Sequence, residues 1–213
     1  MHISEGVLSA PVLVGGGLVA VAGVVIGLRR LDYERIPRVA VLSSAFFVAS
    51  LIRVPVGPSN VHLILNGLVG IILGWAAFPA LLIGLLLQAV LFGYGGLTAL
   101  GVNTAIMGLP AVGVHLVFNR WLRRARGAGA FALGFAAGSL AIVGGCVLLA
   151  ASLLSTGRAF EKVAYLAVAA HVPVAVVEGL VTGAVVGFLR QVRPELLEAP
   201  MAGASDEEAA YAQ

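Results

Sequence analysis

From Val54 to Asn119 the chain runs for about 66 residues without one Lys, Arg, Asp or Glu. A helix needs roughly 20 apolar residues to cross a hydrocarbon layer of about 30 Å, so this stretch has room for three crossings. Punctuation divides it. Pro79 breaks the run after Trp75 and Gly93-Tyr94-Gly95-Gly96 breaks it again, which predicts spans near 60–76, 79–97 and 101–119. Apolar runs on either side extend the pattern: Val7–Leu28 stops at Arg29-Arg30, and a shorter run from Val39 to Ile52 borrows Ile36-Pro37 for its first turn. A sixth run spans Ala128–Leu154, and the last is placed at 172–190, preceded by a piece that reads as a surface helix. The expectation is an all-α polytopic membrane protein of about seven transmembrane helices, one domain over 1–193. The acidic, Ala-rich tail 194–213 lacks apolar periodicity and is expected to be disordered.

Composition agrees: 60% of the 213 residues are hydrophobic and 11% charged, far from the quarter charged of soluble domains. The net charge of +3 invites a nucleic-acid reading, but no basic stripe with interleaved aromatics exists, so nucleic acid is not an expected partner. The cations instead report topology. Ten (Arg29, Arg30, Arg35, Arg38, Arg120, Arg123, Arg124, Arg126, Arg190, Arg193) fall on one side of a seven-span chain, and three (Arg53, Arg158, Lys162) on the other. The positive-inside tendency then puts the N-terminus outside and the C-terminus in the cytoplasm. The single Cys146 forms no internal disulfide. No positive region precedes the first apolar run, so a cleaved leader is not expected and Met1 should stay. Small residues recur at four-residue spacing, as in Ala45/Ala49, Gly70/Gly74 and Gly183/Gly187; they permit close packing of helices, and Ala45 and Ala49 are candidates to face a partner.

Chemistry concentrates at the expected outer face. The Met1 amine, the His2 amide nitrogen and the His2 imidazole can close on one divalent ion as two fused chelate rings. Such a nearly planar nitrogen set favours Ni(II) or Cu(II) over Zn(II), with Co(II) accessible where the site enforces it. Alternation of the spans brings His62, Asn103, His171 and the Gly93–Gly96 turn to the same side, and the fourth planar position would fall to His62. Polar groups within membrane segments are costly and mark sites or pathways. Each also has a plainer role. His62 follows Ser59 and Asn60, either of which could cap a helix start. His171 could satisfy backbone groups near Pro173, and His115 is placed toward the other face as structural. Glu178, the one carboxylate within a span, reads as an interhelical tie, and Glu5 suits either bonding to a ligand imidazole or an ordinary role before the first span.

Met1-His-Ile-x-Glu-Gly6, Val54-x-x-Gly-Pro-Ser-Asn-Val-His-Leu63, Gln88-x-x-x-Phe92-Gly-Tyr-Gly-Gly-Leu-Thr-x-Leu-Gly-x-Asn103 and His171-x-Pro-x-Ala-x-x-Glu-Gly179 together resemble the CbiM/NikM family. These are the cobalt- and nickel-specific substrate-binding membrane components of energy-coupling factor transporters. The resemblance implies seven helices, with the ion held by nitrogens of Met1, His2 and the histidine matching His62. It implies as partners two cytoplasmic ATPases, a transmembrane coupling subunit and often a small accessory membrane subunit, since no phosphate-binding Gly-x-x-x-x-Gly-Lys-Ser/Thr loop occurs here. It implies a bacterial inner-membrane location and Co(II) or Ni(II) as cargo. Tyr94 departs from the histidine many members carry, leaving that loop as a plug over the site alongside Glu5, Ser59, Asn60, Asn103 and His171. Two other readings stand beside this one: a metal-gated channel independent of ATPases, and an intramembrane hydrolase built on Ser139 and His171.

Overall fold

The computed structural model describes residues 2–56 and 59–197, with only the backbone described for 53–56 and 59–61. Among the described residues seven α-helices follow one another: α1 Ala10–Arg29, α2 Ile36–Ala49, α3 Asn66–Leu73, α4 Ala77–Phe92, α5 Leu100–Leu122, α6 Ala128–Thr156 and α7 Glu161–Val192. An antiparallel hairpin, β1 Arg53–Val56 and β2 Ser59–His62, interrupts them and pairs Arg53 with His62. Among the described residues five helical runs are long and apolar enough to cross a membrane: α1, Asn66–Phe92, α5, α6 and the run through α7. The 14 residues of α2 span only about 21 Å, short of a full crossing.

Two expectations about span limits are corrected. Residues 60–62 form strand rather than helix, so the third apolar segment begins its helix at Asn66. It lasts 8 residues and bends at Gly74, where φ is 57°. Only glycine accepts that conformation without a Cβ penalty, and the position is further restricted because a Cβ there would lie 3.0 Å from His115 Nε2. Asn66 bonds Met107 O and Gly70 abuts Ala111, so α3 runs alongside α5 in the same direction. Beyond the bend α4 returns: Phe78 packs on Gly108 and Gln88 comes back to the level of His2. The second correction concerns the last span, placed at 172–190 with a separate surface helix before it. Instead α7 is one helix of 32 residues, Glu161–Val192, which continues through Pro173. A proline inside a membrane helix is tolerated where neighbouring helices support the interrupted turn, and α6, 29 residues long, runs beside it.

Glycine contacts decide the packing. A Cβ at Gly134 would lie 2.9 Å from Gly183 Cα, and one at Gly138 2.7 Å from Glu178 O, so the α6 and α7 backbones touch. Ser139 donates to Ala175 O across the same seam at 2.9 Å. Most of the Asn66–Phe92 run is buried whereas most of α1 is not, which makes the α3–α4 bend the middle of the bundle and α1 its flank. Among the proposed partner-facing residues Ala45 is exposed, but Ala49 is covered at 9% exposure. The ordered chain also passes the expected limit of 193: Pro194–Leu196 form a single 3-10 turn and Leu197 is buried at 1% exposure. The remaining tail, 198–213, lies outside the described residues.

Candidate metal centre

The first described residues enter the bundle instead of trailing from it. Asn103, at the fourth position of α5, receives the Ile3 N–H on Oδ1 at 2.9 Å and returns its Nδ2–H to Ile3 O at 3.0 Å. One carboxamide thus satisfies both backbone groups of a residue only 4% exposed, where unpaired they would each be costly. The loop after α4 closes on this segment. Gly93, Gly95 and Gly96 all have positive φ. A Cβ at Gly95 would meet Asn103 Nδ2 at 2.9 Å and His2 at 3.5 Å, and one at Gly96 would collide with Glu5 Cγ. The Glu5 carboxylate accepts the Thr98 N–H at 3.0 Å, and that bond holds its carboxyl below the usual glutamate range. Tyr94 stacks on Phe92 with ring centroids 5.5 Å apart.

Docking Ile3 brings His2 to His62. Their rings are 5.0 Å apart between centroids, and His2 Nδ1 stands 3.2 Å from His62 Nε2. Each ring is fixed from behind. His2 Nε2 meets Gln88 Oε1 at 2.6 Å, and His62 Nδ1 meets Leu63 O at 2.9 Å. Both oxygens are acceptors, so with the carboxamide as oriented Nε2 of His2 and Nδ1 of His62 carry the protons, and the two inward nitrogens both present lone pairs. Two lone pairs at this separation repel unless a proton or a metal ion lies between them. Donors about 2.0–2.1 Å from one ion stand about 2.8–3.0 Å apart at a right angle and about 3.3–3.4 Å at a tetrahedral one. The observed 3.2 Å falls between these, nearer the tetrahedral separation, and a closure of about 0.2–0.4 Å would bring it to a square edge. Nδ1 is also the ring nitrogen that closes a six-membered chelate with the residue's own amide nitrogen.

The other sequence candidates divide. Met1 lies outside the described residues. Ser59 and Asn60 sit in β2 opposite Val56 and Pro55, not at a helix start; α3 is preceded by Leu65, so the capping role expected for them does not hold, and their side chains are outside the description. His171 is eleventh in α7 and bonds Ala167 O at 2.7 Å. It lines a cavity of about 110 Å³ with Ile142, Cys146 and Val172, so it does not join the His2–His62 pair. Ser139 donates to Ala175 O and His171 bonds Ala167 O, so the two side chains are not paired with each other. His115 lies against Gly74 at the inner bend, bonded to Ile71 O.

Two residues gained roles that sequence reasoning did not assign. Gln88, fully buried, orients His2; an amide alone among the apolar residues of 79–92 was a legible signal. Glu178, also fully buried, receives the N–H groups of Ile64 and Leu65, so the tie expected of it is to the turn after His62.

Comparison with known proteins follows the same lines. A model of the CbiM family, described as the cobalt uptake substrate-specific transmembrane region, matches residues 2–196. A putative metal transport protein of Haemophilus influenzae is 43% identical, covering 92% of this chain and 97% of its own. A putative fused nickel transport protein, NikMN, of Archaeoglobus fulgidus is 28% identical over 93% of this chain and 68% of its own. The crystal structure of a transition metal transporter superposes with a TM-score of 0.76 at 26% identity, covering 90% of this chain and 93% of that one.

Proposed function

Because the chain belongs to the CbiM family, whose model spans residues 2–196, we propose that it is the substrate-binding membrane subunit of an ATP-driven importer for Co(II) or Ni(II). The observation that carries this reading is the facing pair His2 Nδ1 and His62 Nε2 at 3.2 Å, with each ring's other nitrogen already committed. The Met1 amine and the His2 amide complete a four-nitrogen square. The amine gives a five-membered ring and Nδ1 a six-membered ring through the shared amide, whose proton leaves as the ion binds. A planar strong-field set selects Ni(II) or low-spin Co(II) over Zn(II) by geometry. The Gly93–Ala99 loop, held by Glu5, closes over the ion from the side on which the N-terminus lies, the outer face by the ten-to-three division of cations.

Release inward then requires the subunit to reorient, with energy from two cytoplasmic ATPases through a transmembrane coupling subunit; a small accessory membrane subunit completes the assembly in the bacterial inner membrane. Exposed Ala45 on α2 offers a small-residue approach for the coupling subunit.

The experiment inserts alanine between Met1 and His2. Insertion keeps every side chain but moves the imidazole to third place, which changes ring size and reach. Cellular cobalt or nickel accumulation, normalised to membrane abundance, should fall to background, whereas an N-terminally tagged form processed back to Met1 should transport fully. Full uptake by the inserted form would sink the proposed site, and uptake by the purified subunit alone in liposomes would replace the importer with a channel.

A further inference from the structure

We propose that Glu178 acts on His62 through a single peptide group, as a carboxylate–peptide–imidazole relay that positions the histidine for its metal. This rests on His62 being a ligand. The Leu63 carbonyl that accepts His62 Nδ1–H at 2.9 Å belongs to the same peptide plane as the Ile64 N–H, and that N–H donates to Glu178 Oε1. Leu65 N–H donates to the same carboxylate, at 2.9 Å to Oε1 and 3.0 Å to Oε2. The group so placed is fully buried in α7, 114 residues from Ile64 in sequence.

Three features say the contact does more than pack. Leu65 has φ 55°, the only non-glycine positive φ among the described residues, and a strained backbone of this kind persists where its surroundings over-determine it. Glu178 supplies that determination by taking the two amides that flank the Ile64 carbonyl. The geometry also polarises. A carboxylate on the N–H side of a peptide draws density toward its oxygen, and a stronger acceptor at Leu63 O fixes the His62 proton on Nδ1 and makes Nε2 the better donor to an ion. In metalloproteins a carboxylate commonly performs this on a ligand histidine directly; here a peptide group stands between. Finally, the carboxylate comes from α7, whose backbone is locked against α6 at Gly138, where a Cβ would lie 2.7 Å from Glu178 O. Any shift of the α6–α7 pair relative to α3 would therefore pull on the turn that carries His62.

The test uses the full chain with Met1 intact and three variants: Glu178→Ala, Glu178→Gln and His62→Ala, plus the Glu178→Ala/His62→Ala double variant. Glutamine retains an acceptor oxygen for the two amides. Nickel affinity should fall roughly 10-fold to 100-fold in Glu178→Ala and by only a few-fold in Glu178→Gln, with the visible absorption of bound Ni(II) altered in the first and restored in the second. In the His62→Ala background, where the Met1–His2 chelate still binds, Glu178→Ala should cost nothing further. An equal loss in that background, or no loss in Glu178→Ala, would overturn the relay. Nitrogen NMR of the metal-free protein reads the same claim without metal: His62 should be protonated on Nδ1 in the native and glutamine forms and mixed in the alanine form. An unchanged tautomer in the alanine form would overturn it too. Should Glu178→Ala fail to fold, Glu178→Gln carries the tautomer and affinity arms, and a Gln form that loses both would count against a role for the acceptor oxygen. Absence of nickel and cobalt binding by the native protein would refute the proposed function while leaving the tautomer result to decide the relay.

Discussion

Removing the Asn103 carboxamide should weaken metal binding without touching a ligand. In Asn103→Ala the Ile3 N–H and carbonyl lose the partners they hold at 2.9 and 3.0 Å. Both lie in a region where Ile3 is 4% and Asn103 2% exposed, so water does not replace them while the segment stays docked. A buried polar group left unpaired costs about 1–3 kcal/mol, and two of them about 2–6 kcal/mol. The segment escapes the upper part of that range by swinging out to solvent, which makes about 2 kcal/mol the effective penalty on the docked state. At about 1.4 kcal/mol per tenfold, that is roughly a 30-fold loss of apparent affinity. Isothermal titration of Ni(II) into detergent-purified protein measures it. Thr104→Ala is the control, because that neighbouring buried hydroxyl bonds Leu100 O inside α5 and not the N-terminal segment; its affinity should match the native protein. A folded Asn103→Ala form that binds as tightly as native would refute the docking argument.

Further outcomes are expected from the same geometry. His62→Ala should lose most nickel affinity by titration and His115→Ala little, since His115 lies at the Gly74 bend. Gly96→Ala should reduce affinity about as much as a lost loop closure, because φ is 93° and the new Cβ collides with Glu5. The Glu5 carboxyl is lowered below 4.5 by the Thr98 N–H bond, so loop closure from this contact is fully present above the ordinary glutamate value and lost as pH falls through the lowered one; amide exchange at Thr98 should quicken over that acid window, and Glu5→Gln should abolish the dependence. With Cys146 replaced, a cysteine at Ser155 should react with an impermeant thiol reagent in intact cells and one at Gly127 should not; the opposite labelling would reverse the orientation.

The helices were legible because hydrocarbon demands long uncharged runs, and the runs ending at Arg29, Arg120 and Arg190 place α1, α5 and the C-terminal end of α7 closely. What sequence reasoning placed wrongly are the positions where tertiary contacts override local signals. The stretch before 172 reads as a separate surface helix, yet α7 runs unbroken from Glu161 beside α6. Residues 60–62 read as the head of a helix, yet strand pairing with 53–55 claims them. The His2–His62 pair was accessible from the alternation of spans, since it needs only that both lie on one face. Gln88 stood out as a lone amide, but its place behind His2 and that of the Leu63–Ile64 peptide behind His62 were not readable, because which oxygen stands behind an imidazole depends on packing across 86 residues of chain in one case and on a single peptide plane in the other. His171 shows the limit of the face argument: a shared end of the bundle does not mean a shared cavity.

The central claim is that one ion is held by nitrogens of Met1, His2 and His62. X-ray absorption spectroscopy of the nickel-loaded protein with its native N-terminus addresses it directly. Four nitrogen donors are expected at about 2.0 Å in a square-planar signature, with imidazole scattering from two rings that drops to one in His62→Ala. A six-coordinate, oxygen-rich shell, or a spectrum unchanged by His62→Ala, would contradict it.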